Sequence, residues 1–267
     1  MKLSKKTFFE NFFKIYGINY ISLFNYRRII RFNVIIGIIK SIPKINSKKI
    51  LDVGCGAGPY TIFLNKNNIK TTGIDLDDRL LKKAGRYLGN QYFIKASALK
   101  LPFNKNSFDV ILMSEILEHL DDKKAISEAR RLLRSDGYLI ISVPTERYST
   151  TIHNPEEHIR EGYTIEGVNE LLNLNGFGII DFFYSGFFLE SALKKIDFGL
   201  IGSYKRDTKQ GTEKKNPQSK TFRIFSRGIL FILYKYLIFP FIYILLSLDP
   251  ISSRKEGLNL IVLARKK

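Results

Sequence analysis

Cysteine is almost absent from this sequence. Cys55 is the only one among 267 residues, so a single chain can close no disulfide, and a fold stapled by cross-links is excluded. That suits a reducing compartment. The pattern of a secretory leader is missing too. In "MKLSKKTFFENFF" lysines, asparagine and glutamate interrupt the apolar residues, and no small-residue cleavage site follows. The expectation is a cytoplasmic protein. No internal repeat is present. Acidic residues are scarce at two places. Residues 1–50 hold eleven Lys/Arg against Glu10 alone, and residues 203–227 hold eight against Asp207 and Glu213, giving +10 and +6 of the net +18. Basic flanks suit an anionic lipid surface or a nucleic acid. A lysine-rich, solvated face accounts for them equally well. The 45% apolar content argues for a packed fold.

What is present is an alternation of strands and helices. Residues 7–42 predict one or two amphipathic helices closed by Pro43. "KKILDVG" (48–54) reads as a buried strand, "YTIFLNKN" as a helix with Pro59 in its first turn, and "KTTGID" (70–75) as a second strand. "DDRLLKKAGRYL" is a helix that Asp77 or Asp78 can cap. "QYFIKA" (91–96) and "FDVILMS" (108–114) are strands three and four. Residues 121–134 predict a helix with Ala125, Ile126, Ala129, Leu132 and Leu133 on one face, and Gly137 turns the chain into "YLIISVP", strand five. "TIEGVNELLNLNG" is a helix with Gly176 past its end; "FGIIDFFYS" and "GLNLIVLARK" (257–266) are the last two strands. Such alternation specifies an α/β fold: a Rossmann-like, doubly wound, mostly parallel sheet with helices on both faces.

"LDVGCGAG" lies between the first strand and its helix, where such sheets bind ligands. Its glycines are Gly54, Gly56 and Gly58. A dinucleotide fingerprint needs glycine at 59, and Pro59 stands there. Asp75, at the end of the second strand, is placed to accept hydrogen bonds from both ribose hydroxyls of a nucleoside. The plainer alternative is a tight turn and a helix cap.

Together "ILDVGCGAGPYTIFL", "TTGIDLDD", "ASALKLPFNKNSFDVILMSEILEHLDD" and "LLRSDGYLIISVPT" resemble the successive motifs of class I S-adenosylmethionine-dependent methyltransferases, of the broad small-molecule (type 11-like) kind. The resemblance spans about residues 48–185 plus the final strand. It implies a seven-stranded sheet with an antiparallel last strand and S-adenosyl-L-methionine as cofactor. It also implies that the Asp52–Gly58 motif, through Gly54, Gly56 and Gly58, approaches the methionine part, that Asp75 holds the ribose, that Leu76 flanks the adenine and that Ser114 lies near the methionine part. One position departs from the pattern. Where the family often has an acid reading the adenine amino group, this chain has Ser97 in "SALKLPF", so recognition is expected to lean on the backbone at Ala98.

Methyl transfer to a hydroxyl needs alignment and a base. His119 follows strand four, and His153 and His158 follow strand five. His158 is the preferred base and His119 the second catalytic candidate, since an unperturbed imidazole titrates near neutral pH. A surface or helix-capping role is the alternative for each. "SEILEHL" raises another possibility. Glu115, Glu118 and His119 fall at i, i+3 and i+4, and on a helical turn they would share a face and could hold a divalent metal with His153 or His158. The E-x-x-E-H string resembles that of ubiquinone-pathway O-methyltransferases and small-RNA 2′-O-methyltransferases, and it also occurs in relatives that use no metal.

The run Ile229–Leu248, "ILFILYKYLIFPFIYILLSL", is long enough to span a bilayer. A single crossing would strand residues 257–266 away from their sheet. Pro240 divides the run into pieces of eleven and eight residues, each too short to cross. A shallow interfacial hairpin fits, with Lys235 snorkelling and the basic linker 203–220 drawn to anionic headgroups; a buried cap helix is the alternative. The expected organisation is an N-terminal helical lid (1–45), a methyltransferase core (46–185 plus 257–267) and an insertion (186–256). The expected enzyme methylates a small-molecule, lipid or lipid-linked acceptor while resting on the cytoplasmic face of a membrane. An RNA methyltransferase using the basic flanks and a non-catalytic cofactor-binding protein are the competing readings.

Overall fold

The computed structural model describes residues 26–146, 159–160, 162–185 and 257–267. Residues 186–252 separate as a second unit and fall outside that set. The apolar run at 229–248, the linker at 203–220, His153 and His158 therefore lie outside the described residues. Among the described residues no helix is long and apolar enough to cross a membrane.

Seven strands form one sheet. They are β1 (Ile50–Val53), β2 (Thr71–Asp75), β3 (Phe93–Lys95), β4 (Phe108–Ser114), β5 (Leu133–Pro144), β6 (Phe177–Ser185) and β7 (Asn259–Lys266), in the order β3-β2-β1-β4-β5-β7-β6. β1 to β5 pair in parallel, and β7 runs antiparallel between β5 and β6. This is the sheet the resemblance implied. The central strands are covered on both faces, which is why they read as unbroken apolar runs. Val110, Ile111, Leu112, Leu139, Ile140 and Ile141 are all 0% exposed. Each such side chain contributes about 1.5–3 kcal/mol of burial free energy.

The helices are α1 (Tyr26–Ser41), α2 (Pro59–Lys66), α3 (Asp78–Leu88), α4 (Asp122–Leu132) and α5 (Ile165–Leu174). Each well-marked start has a local cause. Asp77 accepts from the Arg79 amide, Asp121 from the Lys124 amide and Thr164 from the Gly167 amide, so orphan N–H groups at the heads of α3, α4 and α5 are met by side chains. Pro59 opens α2 as expected. In α1, Phe32, Ile35, Ile36 and Ile39 are buried at helical spacing, and the helix packs on β6 and β7.

Between α4 and β5 the boundaries differ from the sequence reading. The helix expected to reach residue 134 stops at Leu132, because Leu133 pairs with Phe108 and already belongs to β5. Gly137 therefore lies within β5 and does not lead into it; next to it Asp136 takes φ 60° where the pairing with β4 shifts between Leu133 and Tyr138. Gly137 is required for space: a Cβ there would stand 2.9 Å from the Arg134 carbonyl oxygen.

Candidate active site

The carboxyl ends of β1, β2 and β4 carry the groups singled out by sequence. After Val53 the chain turns through Gly54, Gly56 and Gly58, at φ 70°, 54° and 72°. These are left-handed conformations that cost an ordinary residue about 1–2 kcal/mol. Space adds a second demand at Gly54, where a Cβ would run into the Ile116 side chain. At Gly56 a Cβ would meet nothing nearer than Leu80 Cδ1 at 3.9 Å, so this face of the backbone is open to close approach.

Asp75 is locked to that turn. Its Oδ2 accepts from the Gly56 amide and its Oδ1 from the Asp77 amide, both at 2.8 Å. A carboxylate oxygen has two acceptor sites, so each retains one for a ligand. Beside it Leu76 is 64% exposed, Leu99 39% and Leu80 37%. Exposed leucines in the turns after β2 and β3 and on α3, with a fixed pair of acceptors at the end of β2, fit a nucleoside.

The serine expected beside the base is occupied locally. Ser97 Oγ accepts from the Leu99 amide at 3.2 Å. Ala98 is buried, and Leu99 supplies the exposed surface at that turn. Sequence reasoning passed over Leu80 and Leu99. In "RLLKK" Leu81 is the buried leucine and Leu80 the exposed one, a choice set by packing and not by the pattern.

Asp52 sits beneath the loop, 1% exposed, its Oδ2 accepting from the Thr61 hydroxyl at 2.8 Å. Burial pushes its carboxyl up to about 7, against the opposing hydrogen bond from Thr61. Asp52 thus braces the start of α2 from below. Tyr60 is buried and stacks on Phe32 of α1, ring centroids 4.9 Å apart. Burial raises its hydroxyl to about 12, against the opposing effects of the Arg31 charge and the neighbouring Ser114 side chain.

The E-x-x-E-H segment corrects an expectation. It does not form one helical turn. Glu115 has φ 53°, and only Leu117–His119 are coiled, as a short 3-10 turn. Glu115 accepts from the Ser142 hydroxyl at 2.8 Å and from Asn259 Nδ2 at 3.0 and 3.2 Å, and it pairs with Arg31 Nη1 at 3.1 Å. Glu118 is buried, with Oε2 lacking a hydrogen-bond donor, and burial, then the charge of Glu115, pushes its carboxyl upward. His119 is 40% exposed in its side chain, with Nε2 3.9 Å from Glu118 Oε1. Among the described residues no three His, Cys, Asp or Glu side chains converge to hold a metal ion. With Glu115 committed to a cation and two amide and hydroxyl donors, this segment does not present the expected ligand face.

The family described as "Methyltransferase domain" matches residues 51–141, the stretch from β1 into β5. A ubiquinone biosynthesis O-methyltransferase of Nitrosomonas europaea is 31% identical over 139 residues, covering 49% of this chain and 54% of that protein. The chain thus spans about half the length of this curated relative. An uncharacterized protein of Haemophilus influenzae is 31% identical over 175 residues, 59% of this chain and 70% of that one. A SAM-dependent methyltransferase of known structure from Archaeoglobus fulgidus is 16% identical and superposes with a TM-score of 0.55, over 88% of this chain and 94% of its own. That likeness concerns the fold.

Proposed function

Because this chain belongs to the class I S-adenosylmethionine-dependent methyltransferases, we propose that it transfers a methyl group to the oxygen of a small, lipid or lipid-linked acceptor at the cytoplasmic surface of an anionic membrane. The observation that carries the cofactor half is the doubly anchored Asp75 beside the open face of Gly56. Bound S-adenosylmethionine supplies an electrophilic methyl carbon. The chain's own residues do the rest. Asp75 takes the ribose hydroxyls. Leu76, Leu80 and Leu99 face the base and keep water from it. The glycine loop lets the ligand lie on the backbone. Ser114 borders the far end. His158 takes the acceptor's proton, with His119, beside Glu118, the alternative.

Two features support the acceptor half. A relative named for ubiquinone biosynthesis aligns with half of the chain. The twenty-residue apolar run at 229–248 follows a strongly basic linker, a combination suited to headgroup and acyl boundary together. The test is incubation of the purified chain with methyl-labelled S-adenosylmethionine and separate lipid, glycan and RNA extracts of the host. Label is expected in the lipid fraction, at oxygen. Label confined to RNA overturns the acceptor assignment and moves the basic flanks to nucleic-acid binding. Absence of label in every fraction, with cofactor bound, returns a non-catalytic protein.

A further inference from the structure

The turn that follows β4 is tied to the N-terminal helix, and the tie bears on the ligand. We propose that Glu115 is a positioning residue for the amino-acid end of the nucleoside ligand, latched by Arg31 of α1. This rests on the S-adenosylmethionine reading above and goes beyond it.

The sheet order β2-β1-β4 places Asp75 and the 114–116 turn on opposite sides of the glycine loop. A nucleoside with its ribose on Asp75 and its base among Leu76, Leu80 and Leu99 must extend its other end toward β4. There Glu115 adopts φ 53°, a left-handed conformation that an ordinary side chain pays to hold. Such a conformation persists where its surroundings over-determine it, and here they do. The Glu115 amide donates to the Ser142 carbonyl at 2.8 Å. Its carboxylate takes the Ser142 hydroxyl from β5, Asn259 from β7 and Arg31 from α1.

Both neighbours of Glu115 reach the loop. The Ser114 side chain lies beside the hydroxyl of Tyr60, the second residue of α2. Ile116 fills the space beside Gly54 that a Cβ would take. Helix α1 holds both: Arg31 pairs with Glu115, and the next residue, Phe32, stacks on Tyr60 with rings 14° from parallel. Adjacent residues of one helix thus fix the turn and its partner, and displacing α1 releases both contacts together.

The experiment uses calorimetry on the full chain with two probes. S-adenosylhomocysteine carries the amino-acid tail; 5′-methylthioadenosine has the same nucleoside thioether without it. The variants are Arg31→Met, Glu115→Gln and Glu115→Gly. Glycine suits φ 53°, so its effect isolates the loss of the carboxylate from backbone strain. Arg31→Met and Glu115→Gly are expected to weaken S-adenosylhomocysteine by about tenfold or more and methylthioadenosine by less than about twofold, because the turn they release borders the tail alone. Glu115→Gln, which keeps the shape and one acceptor, should fall between. Equal losses for both probes, which a general loosening of the core would give, overturn the proposal, as does unchanged affinity for S-adenosylhomocysteine. If Glu115→Gly fails to fold, the Arg31→Met and Glu115→Gln pair decides by the same ratio. If the intact chain binds neither probe, the cofactor reading itself falls, an outcome distinct from binding that ignores the variants.

Discussion

The Gly56 amide donates to Asp75 Oδ2 at 2.8 Å, so the turn after the first strand and the end of the second hold each other in place. Neither is a free feature of the chain. The open backbone at Gly56 and the acceptors on Asp75 arrive together because one hydrogen bond sets both.

Replacement of Asp75 removes two acceptors and releases the loop. Asp75→Ala should raise the dissociation constant for S-adenosylmethionine about a hundredfold, and Asp75→Asn, which keeps one carbonyl oxygen, about tenfold. Calorimetry with the cofactor checks the order. Unchanged affinity in the alanine variant would remove the basis of the functional reading.

The glycines separate space from ligand access. At Gly56→Ala the backbone strain costs about 1–2 kcal/mol, the added methyl finds room next to Leu80, and cofactor affinity should drop far more than stability. At Gly54→Ala the methyl meets Ile116, so stability should fall further than at Gly56. Urea unfolding beside cofactor titration of both variants measures the contrast.

Buried Asp52 makes stability fall with rising pH. Its carboxyl is raised from 3.8 to about 7, chiefly by burial. Below pH 3.8 it is protonated in folded and unfolded chains alike. Between 3.8 and about 7 the unfolded chain gives up the proton while the folded chain keeps it, so stability declines, by at most on the order of 4 kcal/mol. Above that window the loss is complete. Asp52→Asn should abolish this component, and the difference between intact and variant urea midpoints from pH 4 to pH 8 isolates it. Parallel curves would show that Asp52 is not held in this way.

On the proposed function, membrane attachment falls to residues 203–250. The intact chain should sediment with vesicles containing an anionic lipid and much less with zwitterionic ones, and deleting 203–250 should leave it in solution. Each basic residue near the surface adds about 1 kcal/mol, reduced by salt. Full recovery of the intact chain in the supernatant at physiological salt would contradict the assignment.

A base at His158 has a kinetic signature. His158→Asn should lower kcat about 10²–10⁴-fold with cofactor affinity intact. The rise of kcat/KM with pH through the imidazole range, near 6.5, should vanish with it. If that limb survives in His158→Asn and disappears in His119→Asn, the base is His119.

Strands β4 and β6 were legible in the sequence to the residue. Their apolar runs are bounded by residues forced into left-handed turns, Asn106 at φ 57° and Gly176 at φ 71°. The end of α4 was not, since Leu132 and Leu133 both continue a helical face and only the pairing of Leu133 with Phe108 ends it. The E-x-x-E-H spacing misled for a similar reason. Spacing places three side chains on one face only if the backbone coils, and four contacts from distant elements hold Glu115 out of the coil.

Sequence alone determined the strand–turn–helix with its glycine turn and the aspartate bonded to it, because both follow from local pattern: glycines where φ turns positive, an acid at a strand's end. The partners of the buried charges were decided only in three dimensions. Arg31 with Glu115, and Asp52 with Thr61, are matched by distance and exclusion of water, which no spacing along the chain records.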